Sequence, residues 1–70
     1  MKHRNIASER VRIGMTQVEL AEHLGISPAS LTRYEMDPMT ASPTVIRKAA
    51  ALFGCTTDYL FDLTEERTRR

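Results

Sequence analysis

The sequence predicts an all-α fold, a compact bundle of about five short helices, and three observations carry that prediction. Gly14, Gly25 and Gly54 each follow a run of apolar residues spaced by three and four, where a left-handed residue closes a last turn without a Cβ penalty. Ser27-Pro28 and Ser42-Pro43 each read as a hydroxyl N-cap followed by proline at the first helical position, where its missing N–H is not needed. Thr16-Gln17-Val18-Glu19 is a capping box, in which the hydroxyl takes one free amide and the carboxylate returns to another.

In chain order, the first helix is centred near Glu9 and gives Ile6 and Ile13 to the core. The second, centred near Ala21, starts at the capping box and aligns Leu20, Ala21 and Leu24 on one face. The third, centred near Leu31, starts at Ser27 and buries Leu31 and Tyr34. The one longer connection is Met36 to Ala41, in which Asp37 and Pro38 disfavour helix. The fourth helix, centred near Lys48, presents Ile46, Ala49, Ala50 and Phe53 on one side. Thr56 caps a fifth near Tyr59 that runs through Leu60 or Phe61 and closes the core. Residues 1–63 are expected to form the domain and 64–70 a frayed polar tail.

Composition bounds the function. A chain of 70 residues supports one modest core and no roomy catalytic cleft. His3 and His23 have no companions at metal-ligand spacing, and no glycine-rich phosphate loop or paired carboxylates are present, so neither an enzyme nor a metal or cofactor site is expected. Cys55 is the single cysteine, which rules out an internal disulfide and reads as a small core residue. No apolar run is long enough to span a bilayer and the start carries no leader pattern, so a cytoplasmic location is expected. The net charge of +1 says little about partners. Basic residues gather at Lys2, Arg4, Arg10 and Arg12 and again at Arg67, Arg69 and Arg70, while Glu19, Glu22, Glu35 and Asp37 leave the middle mildly acidic.

The connection Leu24-Gly25-Ile26-Ser27-Pro28 is too short for antiparallel packing, so it sets the second and third helices at a steep angle, as in a helix-turn-helix. Ala21 is small enough for the two backbones to approach, and Ile26 fits into the angle between them. The run T-Q-V-E-L-A-E-H-L-G-I-S-P-A-S-L-T-R-Y-E resembles the helix-turn-helix of the phage lambda repressor and Cro-like, or XRE, family. The similarity extends from about Ile6 to Phe61 and includes A-A-A-L-F-G-C-T-T-D-Y-L-F.

That resemblance implies a recognition helix from Pro28 to about Tyr34 lying in the major groove of double-stranded DNA. Pro28, Ala29, Thr32 and Arg33 would face the bases, with Arg33 suited to guanine and Ala29 and Thr32 to a thymine methyl. Gln17 would clamp a backbone phosphate at the start of the second helix, and Ser30 is placed for another. Arg10 and Glu35 would pair and orient the reading helix, with Arg10 also within reach of phosphate. The family often has an Asn-Gly turn and basic residues after this glutamate, whereas the chain has Met36-Asp37-Pro38-Met39. Phosphate contact there would fall to Thr40 and Ser42, with Arg47 and Lys48 nearby, at lower affinity. A homodimer through Gly54 to Leu63 is also implied, with Thr57, Tyr59 or Phe61 supplying apolar surface.

The function expected is sequence-specific transcriptional regulation, as a repressor. Two alternatives stay open on the residues alone: an antitoxin of a toxin pair, and a protein-interaction module that kept the fold without DNA binding.

Overall fold

The computed structural model describes residues 4–68 and places five α-helices in them. They are α1 (Asn5–Arg12), α2 (Gln17–Leu24), α3 (Pro28–Met36), α4 (Pro43–Phe53) and α5 (Thr57–Leu60). Lys2, His3, Arg69 and Arg70, which contribute to the basic ends of the sequence, lie outside the described residues.

The capping chemistry decides the boundaries. Thr16 Oγ1 accepts from the Glu19 amide and Glu19 Oε1 accepts from the Thr16 amide, so both halves of the capping box form. Ser27, Ser42 and Thr56 accept from the amides of Ser30, Val45 and Tyr59, which starts α3, α4 and α5. At the other end of α2, Gly25 adopts φ 72°, and the Ile26 amide reaches back to the Ala21 carbonyl. This closing turn satisfies carbonyls that the helix leaves open and turns the chain sharply into α3.

Two expectations about irregular segments change. Met36 belongs to α3, which continues two residues past Tyr34, and Pro38–Thr40 form a single 3-10 turn rather than an open loop. Asp37 leaves the helical region, at φ −145° and ψ 88°, as a following proline favours, which stops α3 there. Pro38 stands at the start of the 3-10 turn, where the proline ring restricts φ to near the helical value and leaves no amide unsatisfied, so it ends one helix and opens the next short turn. The polar stretch expected to fray instead returns to the domain at Arg67, whose carbonyl accepts from the Thr56 amide. Its guanidinium binds Glu9 and the Phe53 carbonyl.

The core comprises Ile6, Leu20, Ala21, Leu24, Leu31, Ala41, Ile46, Ala49, Ala50, Phe53 and Leu60, drawn from all five helices and the segment before α4. Leu20, Leu31, Ile46 and Leu60 are the largest side chains fully removed from water, each contributing about 1.5–3 kcal/mol. Ile13, Tyr34, Cys55 and Phe61 pack against this cluster while remaining half-buried. α1 lies across α3, α4 and α5, and together with the packing of α2 on α4 it ties the helix-turn-helix to the rest of the domain. Its N-terminus is held from the far end of the chain, where Asn5 Nδ2 donates to the Tyr59 carbonyl at 2.7 Å. Among the described residues, no helix is long and apolar enough to cross a membrane.

Candidate nucleic-acid interface

Ala21 is 1% exposed where α2 meets α3, so the two backbones approach closely at the point where the turn reverses the chain. Ile26 packs against the core from within that turn. α3 then buries Leu31 and Glu35 on its inner side and leaves Pro28, Ala29, Thr32 and Arg33 exposed. Positions 28, 29, 32 and 33 recur at helical spacing, so the four residues singled out for base contact occupy one solvent-facing edge.

The chemistry of that edge is sparse. Thr32 Oγ1 donates to the Pro28 carbonyl at 3.0 Å, one turn back in its own helix. Arg33 lies over the Tyr34 ring, 5.4 Å from its centroid, a cation–π arrangement that favours one set of guanidinium positions. Ser30 is half-buried, and its hydroxyl oxygen accepts from Ser27 Oγ at 3.0 Å.

Behind the edge, α3 is fastened on both sides. Arg10 Nε of α1 donates to Glu35 Oε2 at 2.7 Å, and Gln17 Nε2 of α2 donates to Glu35 Oε1 at 2.8 Å. Arg10 also donates through Nη1 to the Met15 carbonyl at 2.9 Å, which fixes its guanidinium against the α1–α2 connection. The Glu35 side chain is 7% exposed and Arg10 17%, so this pair is well removed from water and both carboxylate oxygens have partners. The sequence points to Arg10 and Glu35 as a pair and to Gln17 separately; the structure joins all three. An amide nitrogen carries two protons, and the bond to Glu35 uses one, so Gln17 keeps a donor as well as its place at the start of α2.

Among the acidic residues in the middle of the sequence, Glu19 and Glu35 are engaged within the fold. Glu19 caps its own helix and Glu35 is matched by Arg10. Thr40 and Ser42 are exposed beside the start of α4, with Thr40 Oγ1 donating to the Asp37 carbonyl and Ser42 Oγ accepting from the Val45 amide. Arg47 and Lys48 are exposed on the following turn. His23 is exposed on α2, and no cluster of His, Cys, Asp and Glu that could hold a metal occurs among the described residues.

One charged centre escapes the sequence reading. Glu9 is buried on α1, and its carboxylate receives Arg12 at 2.8 Å and Arg67 at 2.7 Å. Both arginines also donate to the Phe53 carbonyl, at the C-terminal end of α4 where a cation is favoured. The hydrogen bonds from Arg67 hold the Glu9 carboxyl below its ordinary value, against the opposing effect of burial and with help from Arg12. Burial, reinforced by the Glu9 charge, pushes the neighbouring Cys55 thiol and Tyr59 phenol up. The signal was in the apolar stripe itself: Glu9 stands three residues after Ile6 and four before Ile13, where a charge stays only if it is paired.

No curated relative matches the sequence. The model of the helix-turn-helix family matches residues 6–60, which takes in α1 from its second residue through the end of α5 and leaves Arg67 outside. That family binds DNA and is not known to catalyse reactions. A short turn closed by Gly25, an exposed edge on α3 and an arginine and glutamine fastening Glu35 are the local form of that fold in this sequence, which belongs to the XRE/Cro/C1-type helix-turn-helix family.

Proposed function

We propose that the protein is a sequence-specific transcriptional repressor that acts in the cytoplasm as a homodimer, with α3 in the major groove of its operator. The observation that carries this reading is the exposed edge Pro28, Ala29, Thr32 and Arg33 on a helix whose opposite side is fixed to α1 and α2 through Glu35. Arg33 presents the fork that matches O6 and N7 of guanine. Gln17, Ser30, Arg10 and Ser42 are the phosphate-contacting set, and they set register without reading sequence. Thr40, by contrast, gives both its amide and its hydroxyl proton to the Asp37 carbonyl and has none left for a phosphate. Arg10 contributes there mainly as a positive charge, because two of its donors serve Glu35 and Met15.

One domain covers about half a site, so two copies spanning adjacent major grooves meet half-sites roughly 10 base pairs apart. The dimer contact lies around Gly54 to Leu63, where Leu63 is 66% exposed and Tyr59 and Phe61 are half-buried. Occupancy of a promoter by such a dimer excludes other proteins, which makes repression the simplest outcome. With Met36-Asp37-Pro38-Met39 in place of a basic loop, intrinsic affinity is modest and depends on dimerisation.

The test is selection of bound sites from a random duplex pool, followed by a salt titration on the selected site. A two-fold symmetric motif bound more tightly at low salt supports the reading. Undetectable binding to any duplex at low salt, where phosphate contacts are strongest, refutes it and leaves the protein-interaction reading. A reporter carrying the selected site then separates repression from activation.

A further inference from the structure

Each base offers the major groove a distinct chemistry. Adenine is read by a side chain that donates and accepts together, such as Asn or Gln; guanine by a paired donor; thymine by apolar contact with its C5-methyl group. The exposed edge of α3 holds no side chain of the first kind. The side chains of Pro28 and Ala29 carry no hydrogen-bonding group. Thr32 gives its hydroxyl proton to the Pro28 carbonyl at 3.0 Å, so it has none to donate to a base, and the remaining branch on its Cβ is a methyl group. Arg33, over the Tyr34 ring, is the single strong donor on the edge.

Building on the reading that α3 enters the major groove, we propose that this chain selects its site by the C5-methyl groups of pyrimidines beside a single guanine, with Ala29 and the Thr32 methyl making the methyl contact and Arg33 the guanine contact. The methyl group is common to thymine and 5-methylcytosine and occupies the same place in the groove. Because Thr32 has no proton to give, the contact does not favour the O4 acceptor of thymine by donation. A 5-methylcytosine·guanine pair therefore replaces thymine·adenine better than unmethylated cytosine·guanine does.

The experiment uses the full chain and the duplex it selects from a random pool. Each thymine is replaced in turn by deoxyuridine, which removes the methyl and nothing else. At one or two positions in each half-site the affinity falls about four-fold, the equivalent of ~0.8 kcal/mol for one buried methyl group. At those positions 5-methylcytosine binds more tightly than cytosine. Thr32→Ser, which keeps the hydroxyl and deletes the methyl, abolishes the thymine-to-deoxyuridine ratio at its position. Thr32→Val, which keeps a methyl and deletes the hydroxyl, preserves that ratio whatever its absolute affinity. Circular dichroism checks that both variants fold. Indifference to deoxyuridine at every position, with sequence selectivity intact, overturns the methyl readout while leaving DNA binding standing. A deoxyuridine penalty that Thr32→Ser and Ala29→Gly both leave unchanged overturns the assignment to these residues. Failure to bind any duplex at low salt removes the DNA reading and this inference together.

Discussion

Gln17 and Arg10 hold opposite oxygens of the same Glu35 carboxylate, at 2.8 and 2.7 Å, so α1, α2 and α3 meet at one side chain. Replacing Glu35 by Ala removes the shared acceptor and leaves the mostly buried Arg10 guanidinium without its counter-charge. The expected loss is about 3 kcal/mol, the low end for breaking a buried pair. Urea unfolding of Glu35→Ala, Arg10→Met and the double variant measures it, and the double variant should be less destabilised than the sum of the two single changes.

Gln17→Ala and Arg33→Ala should fail in different ways. Loss of Gln17 removes a neutral donor, so binding weakens on every duplex alike and the slope of log affinity against log salt stays the same. Loss of Arg33 should cost about 1–3 kcal/mol on the selected site and relax preference at one base pair. Equal losses on selected and random DNA for Arg33→Ala would remove its role as a reader.

Glu9 makes stability pH-dependent in a stated direction. Its carboxyl is held below the ordinary 4.5, so the stabilisation is fully present above that value and is lost as pH falls through the lower, folded-state value. Arg67→Ala should lower the urea midpoint at pH 7, and the difference from the unmodified protein should shrink as Glu9 becomes protonated in acid. A midpoint unchanged at pH 7 would show that the Arg67 contact does not hold the C-terminal segment.

Gly25→Ala tests the turn. Nothing lies within 4 Å of the place a Cβ would occupy, so the penalty is conformational only, that of an L-residue at φ 72°. About 1–2 kcal/mol should be lost, and Gly25→Asn should lose less, because asparagine tolerates this region.

Cys55 should react slowly. It is half-buried and its thiol is pushed above the ordinary 9.0, so the thiolate is scarce at neutral pH. Modification by a thiol reagent at pH 7.5 should be slower in the folded protein than in urea.

The helix boundaries were legible because they are local chemistry. Capping hydroxyls at Thr16, Ser27, Ser42 and Thr56 and left-handed glycines at 25 and 54 act within four residues of where they stand. The core was legible because Ile6, Leu20, Leu31, Ile46 and Phe53 fall on stripes with helical spacing. Less was legible where a residue answers to a distant part of the chain. Arg67 looks like solvated tail until the fold brings Glu9 and the Phe53 carbonyl beside it, 58 and 14 positions away. Gln17 looked like a surface donor because its bond to Glu35 spans two helices and 18 positions. Pro38 punctuated the chain as expected, but whether a proline opens a loop or a 3-10 turn depends on the residues it packs against, and it is buried here.

The placement of Arg33 over the Tyr34 ring carries a thermodynamic consequence for any partner that the guanidinium meets. Immobilising a long, rotamer-rich side chain in an interface costs about 0.5–1.5 kcal/mol of entropy. A guanidinium already confined above an aromatic face has fewer rotamers to surrender, so that penalty is smaller than for an arginine moving freely in water. Tyr34→Leu would restore that freedom, and calorimetry of binding to the selected duplex should then show a less favourable entropy.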